Sequence, residues 1–244
     1  MNKWIPVILI AGFAGVAVYI LSSEMSQHKR LGLDEATAQS LQYSGQNVIV
    51  IKPDITQAAY GRNGFYWYYE GRCGTECLTV PLQRGEIERW GAYNIKTIYF
   101  LEQYGWPVLS DYDLHYSLLN NPAYLLQYNT IILLHSEYVT AEIYNAVLSH
   151  PNVIYIMPNA LYAQVEIEGD DITLVRGHGW PSPEIFNGFG WTDDNSPEEY
   201  DLDCNDWTFR QIPNGYQLNC YPERDFIEKP EIMSKIINLI KKPN

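Results

Sequence analysis

Three short runs constrain the fold more than any other feature: Asn-Val-Ile-Val-Ile at residues 47–51, Thr-Ile-Ile-Leu-Leu at 130–134 and Val-Ile-Tyr-Ile-Met at 153–157. Each is apolar or β-branched along nearly its whole length, with no polar face to turn to water. Such strands need cover on both sides, which a parallel sheet with helical crossovers supplies. Between the runs the apolar period changes to that of a helix. Residues 87–104 place Ile95, Ile98, Tyr99 and Leu101 on one face and stop at Gly105, residues 114–126 form a second helical stretch, and residues 140–149 begin at Thr140, a good N-cap. Residues 106–109 add a further strand. This βαβαβ succession predicts an α/β fold with a doubly wound, mostly parallel open sheet, and with its working site at the carboxyl ends of the strands.

The flanking segments read as additions to that sheet. Residues 162–168 and 172–176 bracket Gly169-Asp170-Asp171, and residues 207–212 and 216–220 bracket Pro213-Asn214-Gly215. Both are predicted β-hairpins. Residues 78–82 suit another strand, and residues 231–242 a closing amphipathic helix with Ile232, Ile236, Ile237 and Ile240 on one face. Residues 54–77 read as a long aromatic, glycine-rich excursion, of a length that is uncommon unless functional or tied down. There is no internal repeat.

Residues 4–23 carry no charge over twenty positions, between Lys3 and Glu24. As a helix rising about 1.5 Å per residue they span roughly 30 Å, the thickness of a bilayer's hydrocarbon core. No Ala-x-Ala pattern follows, so a retained transmembrane anchor is favoured over a cleaved signal or a buried core helix. Residues 24–44 are polar and read as a linker to a domain over residues 45–244. Lys3 on one side and Lys29 with Arg30 on the other leave the positive-inside rule nearly balanced.

The four cysteines, Cys73, Cys77, Cys204 and Cys220, all fall in that domain. Their even count suits disulfides in an oxidising compartment. Of the three possible connectivities, the local pairs Cys73 with Cys77 and Cys204 with Cys220 are favoured. A four-thiolate zinc site is the competing arrangement, but the spacing from Cys204 to Cys220 supplies no second knuckle. The expectation is a single-pass protein of the cell membrane with its carboxy-terminal domain outside the cytoplasm.

A net charge of −13 argues against nucleic acid and against lying on an anionic lipid surface. Twenty tyrosines and seven tryptophans suit broad aromatic surfaces, a carbohydrate-like platform or simply core. Residues 193–206 hold seven carboxylates in fourteen positions, and Asp201, Asp203 and Asn205 alternate as calcium ligands do. The sixth-position glycine is missing and Ile212 stands where an EF-hand closes with Glu. An EF-hand is excluded, leaving a looser calcium site or a solvated acidic loop.

At the strand ends, residues 128–140 (Tyr-Asn-Thr-Ile-Ile-Leu-Leu-His-Ser-Glu-Tyr-Val-Thr) and residues 152–162 (Asn-Val-Ile-Tyr-Ile-Met-Pro-Asn-Ala-Leu-Tyr) carry a His-x-Glu-Tyr and an Asn-Ala-x-Tyr motif. With the helix between them they resemble the carboxy-terminal domain of the N,N-dimethylformamidase large (beta) subunit, in the class I glutamine-amidotransferase-like superfamily. The resemblance covers residues 95–180 and implies a flavodoxin-like sheet. Segment 60–80 also resembles uncharacterised archaeal membrane-anchored proteins, which implies no chemistry.

The superfamily's amidotransferases hold a nucleophilic cysteine on a strand-to-helix elbow. The corresponding residues here are Met157-Pro158-Asn159-Ala160, with no cysteine or serine, so glutamine hydrolysis is not expected. Dimethylformamidase-type enzymes imply instead an iron bound by two tyrosines and a glutamate, hard oxygen donors suited to a ferric ion. By motif position these are Tyr138, Tyr162 and Glu137, with His135 and His178 as outer-shell or proton-transfer residues. Against this stands packing: among twenty tyrosines many belong to the core, and His178 in Arg176-Gly177-His178-Gly179-Trp180 suits a loop histidine. Two function classes follow. One is an anchored domain, catalytically degenerate, that binds a ligand or assembles with a partner or a second copy of itself. The other is a metal-dependent amide hydrolase; the missing elbow nucleophile, the absence of a His/Asp/Glu metal signature and the stapled aromatic loops favour the first.

Overall fold

The computed structural model describes residues 47–82, 98, 101–102, 104–197, 207–220 and 230–240. The expected anchor at 4–23 and the linker lie outside these residues, as do Asp201, Asp203, Cys204, Asn205 and most of the expected helix at 87–104. No helix among the described residues is long and apolar enough to cross a membrane.

The fold is mixed α/β, built on two sheets. The larger contains β1 (Val48–Lys52), β3 (Val108–Ser110), β4 (Thr130–Leu133), β6 (Val153–Tyr155), β10 (Gly215–Leu218) and β9 (Phe209–Ile212), in the order β3-β1-β4-β6-β10-β9. Its first five strands pair in parallel, and only the edge strand β9 is antiparallel. Ranked by chain order within the sheet, the parallel strands run 2-1-3-4-5. The three apolar runs are β1, β4 and β6, side by side at its centre. Alternate residues such as Ile49, Ile51, Ile131 and Leu133 join the main core, while Val48, Val50, Ile132 and Ile154 are equally buried on the opposite face. Both faces are therefore covered, as the lack of a polar face requires.

The second hairpin is no mere addition to the sheet. Its second strand, β10, is the fifth parallel strand, paired to β6 through Gly215 and Val153. Gly215 has φ +156, and a Cβ there would stand 1.8 Å from the Val153 carbonyl oxygen, so only glycine lets the two backbones pair this closely. The first hairpin, β7 (Ala163–Glu168) with β8 (Asp171–Arg176), belongs to a separate four-stranded sheet of order β2-β8-β7-β5, with β2 at Thr79–Pro81 and β5 at Tyr138–Val139. Tyr138, Val139, Ala163, Val165 and Leu174 from this sheet share one core with Ile49, Leu133 and Tyr155 of the larger one.

Residues 54–77 are helical rather than an irregular excursion. They form α1 (Asp54–Tyr60), α2 (Phe65–Tyr69) and a 3-10 turn at Thr75–Leu78. The cap of α1 comes from outside its own sequence: Pro53 supplies no side-chain bond, and Asp111 Oδ1 accepts the Ile55 N–H at 3.0 Å. Beyond β3, α3 (Asp111–Asn120) begins at Ser110, whose hydroxyl accepts from the Tyr112 N–H, and α4 (Ala141–Ser149) begins at the expected cap Thr140. The chain after α3 tightens into a 3-10 turn at Tyr124–Gln127 instead of extending the helix. The closing helix α5 (Pro230–Ile240) buries Ile232, Ile236, Ile237 and Ile240 as expected.

Cys73 and Cys77 form a disulfide with Cα atoms 6.2 Å apart. Cys220 is buried and likewise disulfide-bonded. This oxidation removes the thiolates that the zinc arrangement required.

Candidate functional site

The order of the parallel strands reverses between β1 and β4. At such a switch point neighbouring connections leave in opposite directions and open a crevice at the carboxyl ends. β1 runs there into Pro53 and α1. β4 runs into His135-Ser136-Glu137, where the chain crosses to the second sheet. Backbone bonds fix this crossing: the Glu137 carbonyl accepts the N–H groups of Tyr162 and Ala163 at 2.9 and 3.0 Å, and Thr56 Oγ1 accepts the Tyr138 N–H at 3.1 Å.

Glu137 is fully buried, and its carboxylate is the centre of the cluster. Tyr60, in the last turn of α1, donates to Oε2 at 2.7 Å. Tyr66, in α2, lies 2.9 Å from the Tyr60 hydroxyl and 3.3 and 3.4 Å from the two carboxylate oxygens. His135 Nε2 stands 3.6 Å from Oε2 and His178 Nε2 3.9 Å from Oε1. Burial pushes the Glu137 carboxyl upward, but the two imidazoles and the Tyr60 hydroxyl outweigh it and hold the group below the usual carboxylate range. Glu137 is thus a buried anion at neutral pH.

A box of aromatic rings surrounds the imidazole of His178. Tyr69 stacks on it with centroids 4.0 Å apart, Tyr138 lies nearly parallel at 6.4 Å, and Tyr66 and Tyr162 meet it edge-on at 5.6 Å each. The turn that presents His178 is unusual. His178 itself has φ +53, between Gly177 and Gly179 at +111 and +78, and its N–H donates to the Phe186 carbonyl at 2.8 Å. A non-glycine residue held in the left-handed region by its surroundings is a frequent mark of a functional position. The His178 side chain is 29 % exposed against 1 % for Glu137, so it links the buried carboxylate to the protein surface.

The buried hydroxyls of Tyr69 and Tyr138 interact with each other, whereas two buried polar atoms close to this point, Ser136 Oγ and Asn159 Oδ1, have no hydrogen-bond partner. Native interiors leave few such groups, and each one calls for a reason. Burial pushes both tyrosine hydroxyls above the ordinary phenol range, the Tyr138 hydroxyl draws Tyr69 part of the way back, and the Glu137 charge adds to the rise, so both stay protonated.

The structure therefore gathers His135, Glu137, Tyr138, Tyr162 and His178 into one cluster. Tyr138 and Tyr162 belong to its aromatic wall, while the hydroxyls in contact with Glu137 are those of Tyr60 and Tyr66. These two, with Tyr69, were not singled out in the sequence, although Tyr66 and Tyr69 stand three apart on one helical face. Among the described residues no three His, Cys, Asp or Glu side chains converge as metal ligands. A cation at this point would rest on phenol oxygens as well as on Glu137. Tyr60 Oη, Tyr66 Oη and Glu137 Oε2 lie 2.7, 2.9 and 3.4 Å from one another, hydrogen-bond separations that gather three hard oxygen donors at one point.

The elbow after β6, Met157-Pro158-Asn159-Ala160, is buried and offers no nucleophile. Its strain falls on Leu161 at φ +56, and its Asn159 Nδ2 faces His135 Nε2 at 3.5 Å. A search among protein families and among curated proteins finds no match to this chain.

Proposed function

We propose that this chain is a membrane-anchored, extracytoplasmic hydrolase of carboxamides that works through a ferric ion held by Tyr60, Tyr66 and Glu137. The oxygen triangle carries the proposal. Two phenols and a carboxylate within hydrogen-bond distance of one another make a compact set of hard donors, which suits a hard cation better than any soft one. The strand order 2-1-3-4-5 supports a flavodoxin-like sheet of the class I glutamine-amidotransferase-like kind, with the site at its switch point. When bound, such an ion polarises a carbonyl and lowers the pKa of water. The chain's own residues do the rest. Glu137 keeps a fixed negative charge, His135 braces it from the buried side, and His178 takes a proton from water on the solvent side. Hydrolysis joins the water oxygen to the carbonyl carbon and breaks the C–N bond. The protons released end on the leaving amine, giving a carboxylate and an ammonium.

Iron analysis of the full chain in detergent tests this. The expected result is stoichiometric iron with a visible tyrosinate charge-transfer band that is lost in Tyr60→Phe and Tyr66→Phe. An iron-free protein that turns over no amide instead supports the other class, ligand binding or assembly, on an elbow that has no nucleophile. The topology has its own test: protease added to intact cells should remove the domain, and no cysteine should label before reduction.

A further inference from the structure

A second place in the domain gathers reactive groups that the Glu137 cluster does not use. A pocket of about 470 Å³ is lined by Arg62, Trp67, Arg72, Glu76 and both residues of the Cys73–Cys77 disulfide. That volume suits a small ligand. Cys77 is buried while Cys73 is half-buried, so Cys73 is the more accessible of the pair. The charges around them are held in place. Glu70 holds the Arg72 guanidinium at 2.9 Å, and the cation lies 5.6 Å from the centre of the Trp67 ring. Arg62 is exposed and has no ion-pair partner among the described residues. The Glu76 carboxylate is turned onto the backbone, where it accepts the Gly74 N–H at 3.0 Å. In a chain of net charge −13, two arginines against one carboxylate make this lining locally cationic.

We infer that the Cys73–Cys77 disulfide is a thiol–disulfide exchange site whose pocket recruits a low-molecular-weight thiol carrying a carboxylate. Arginine matches a carboxylate better than any other side chain, and a cationic setting favours the thiolate over the thiol. In the first step the incoming thiolate attacks Cys73 Sγ. A new S–S bond forms there, the Cys73–Cys77 bond breaks, and its electron pair leaves on Cys77 Sγ. A second thiolate then attacks the incoming sulfur of the mixed disulfide and releases Cys73 Sγ as a thiolate. Two thiols are oxidised to one disulfide, the protein disulfide is reduced, and the two protons the reagents lose end on Cys73 and Cys77. Nothing in this exchange calls on iron or on the Glu137 cluster.

The test exposes the oxidised full chain in detergent to mercaptopropionate or to uncharged mercaptoethanol, at equal thiolate concentration and low salt. Iodoacetamide stops the reaction, and mass spectrometry maps the alkylated cysteines. Each rate is divided by that of the same thiol on hydroxyethyl disulfide, which cancels the intrinsic difference in nucleophilicity. Mercaptopropionate is expected to open Cys73–Cys77 roughly two- to tenfold faster than mercaptoethanol, in the folded chain and through a mixed disulfide on Cys73. High salt should erase that advantage. Arg62→Gln should slow mercaptopropionate roughly two- to fivefold and leave mercaptoethanol unchanged. A disulfide that resists both thiols until the domain unfolds, equal normalised rates for the two, or a mixed disulfide on Cys77 instead of Cys73 would each overturn the inference. So would a mercaptopropionate rate indifferent to Arg62→Gln. Should that variant not fold, the salt dependence of the wild-type rate decides in its place, and an advantage that survives high salt overturns the inference.

Discussion

The Tyr60 hydroxyl and Glu137 Oε2 meet at 2.7 Å across 77 residues of chain, and this contact closes the crevice between β1 and β4. A carboxylate without solvent is stable only while donors surround it. Tyr60→Phe removes the shortest of those bonds and is expected to cost about 1.5–3 kcal/mol of stability, the range for hydrogen bonds to charged groups. Tyr66→Phe, at 3.3 and 3.4 Å, should cost less. Urea unfolding midpoints of the two variants check the order.

Glu137 sets a pH limit. Its carboxyl is held below the ordinary glutamate range in the folded chain, so the folded state binds its proton more weakly than the unfolded one. The resulting stability is present above about pH 4.5 and is lost as pH falls through the lower folded value. Glu137→Gln should be less stable than wild type at neutral pH and should show a flatter acid limb in unfolding measured from pH 7 to pH 3.

Asp111 works in the opposite direction. Burial first, and then the neighbouring Asp54 charge, raise it well above 3.8, while its Oδ2 has no partner. The folded state here holds the proton more tightly, so stability is present at low pH and is lost as pH rises above the ordinary carboxylate value. Asp111→Asn keeps the acceptor for the Ile55 N–H and removes the charge. It should be more stable than wild type at pH 7 by on the order of 1 kcal/mol, a difference that vanishes below pH 3.8 in the same denaturation series.

The Cys73–Cys77 disulfide ties down the segment that follows α2. Closing so short a loop is worth about 2 kcal/mol in the chain-entropy account. Cys73→Ser with Cys77→Ser should lower the thermal midpoint accordingly. Hydrogen exchange should rise in residues 65–78 and stay unchanged in β4.

Gly215 tolerates no side chain. Gly215→Ala is expected to cost roughly 3–5 kcal/mol, from positive-φ strain together with collision against the Val153 carbonyl. The signature is loss of protection in β6 and β10 before the rest of the sheet.

Much of this architecture is legible in the sequence, because each legible element carries its own signal. The lack of a polar face identified β1, β4 and β6, Thr140 marked the start of α4, and Asp170 with its neighbours marked the β7–β8 turn. What is not legible depends on partners distant in the chain. α1 and α2 lack the signs of helices because the cap of α1 is Asp111, more than fifty residues on. The second sheet is unsigned because β5 is only two residues long and pairs in parallel with β7. At the site, His135, Glu137 and His178 stand out through their local motifs. Tyr60 and Tyr66 do not, since among many tyrosines only the fold decides which hydroxyls reach one carboxylate.

The late arrival of β10 governs the order in which the protein can be completed. Four of the five parallel strands are synthesised by residue 155, yet the edge of β6 gains its neighbour only when residues 215–218 emerge. Until then an apolar strand offers unbonded amides to any other extended chain nearby. A nascent or truncated polypeptide ending before Gly215 therefore holds all the residues around Glu137 but exposes a sticky border. That interval, between the emergence of β6 and that of β10, is when a chaperone is needed most.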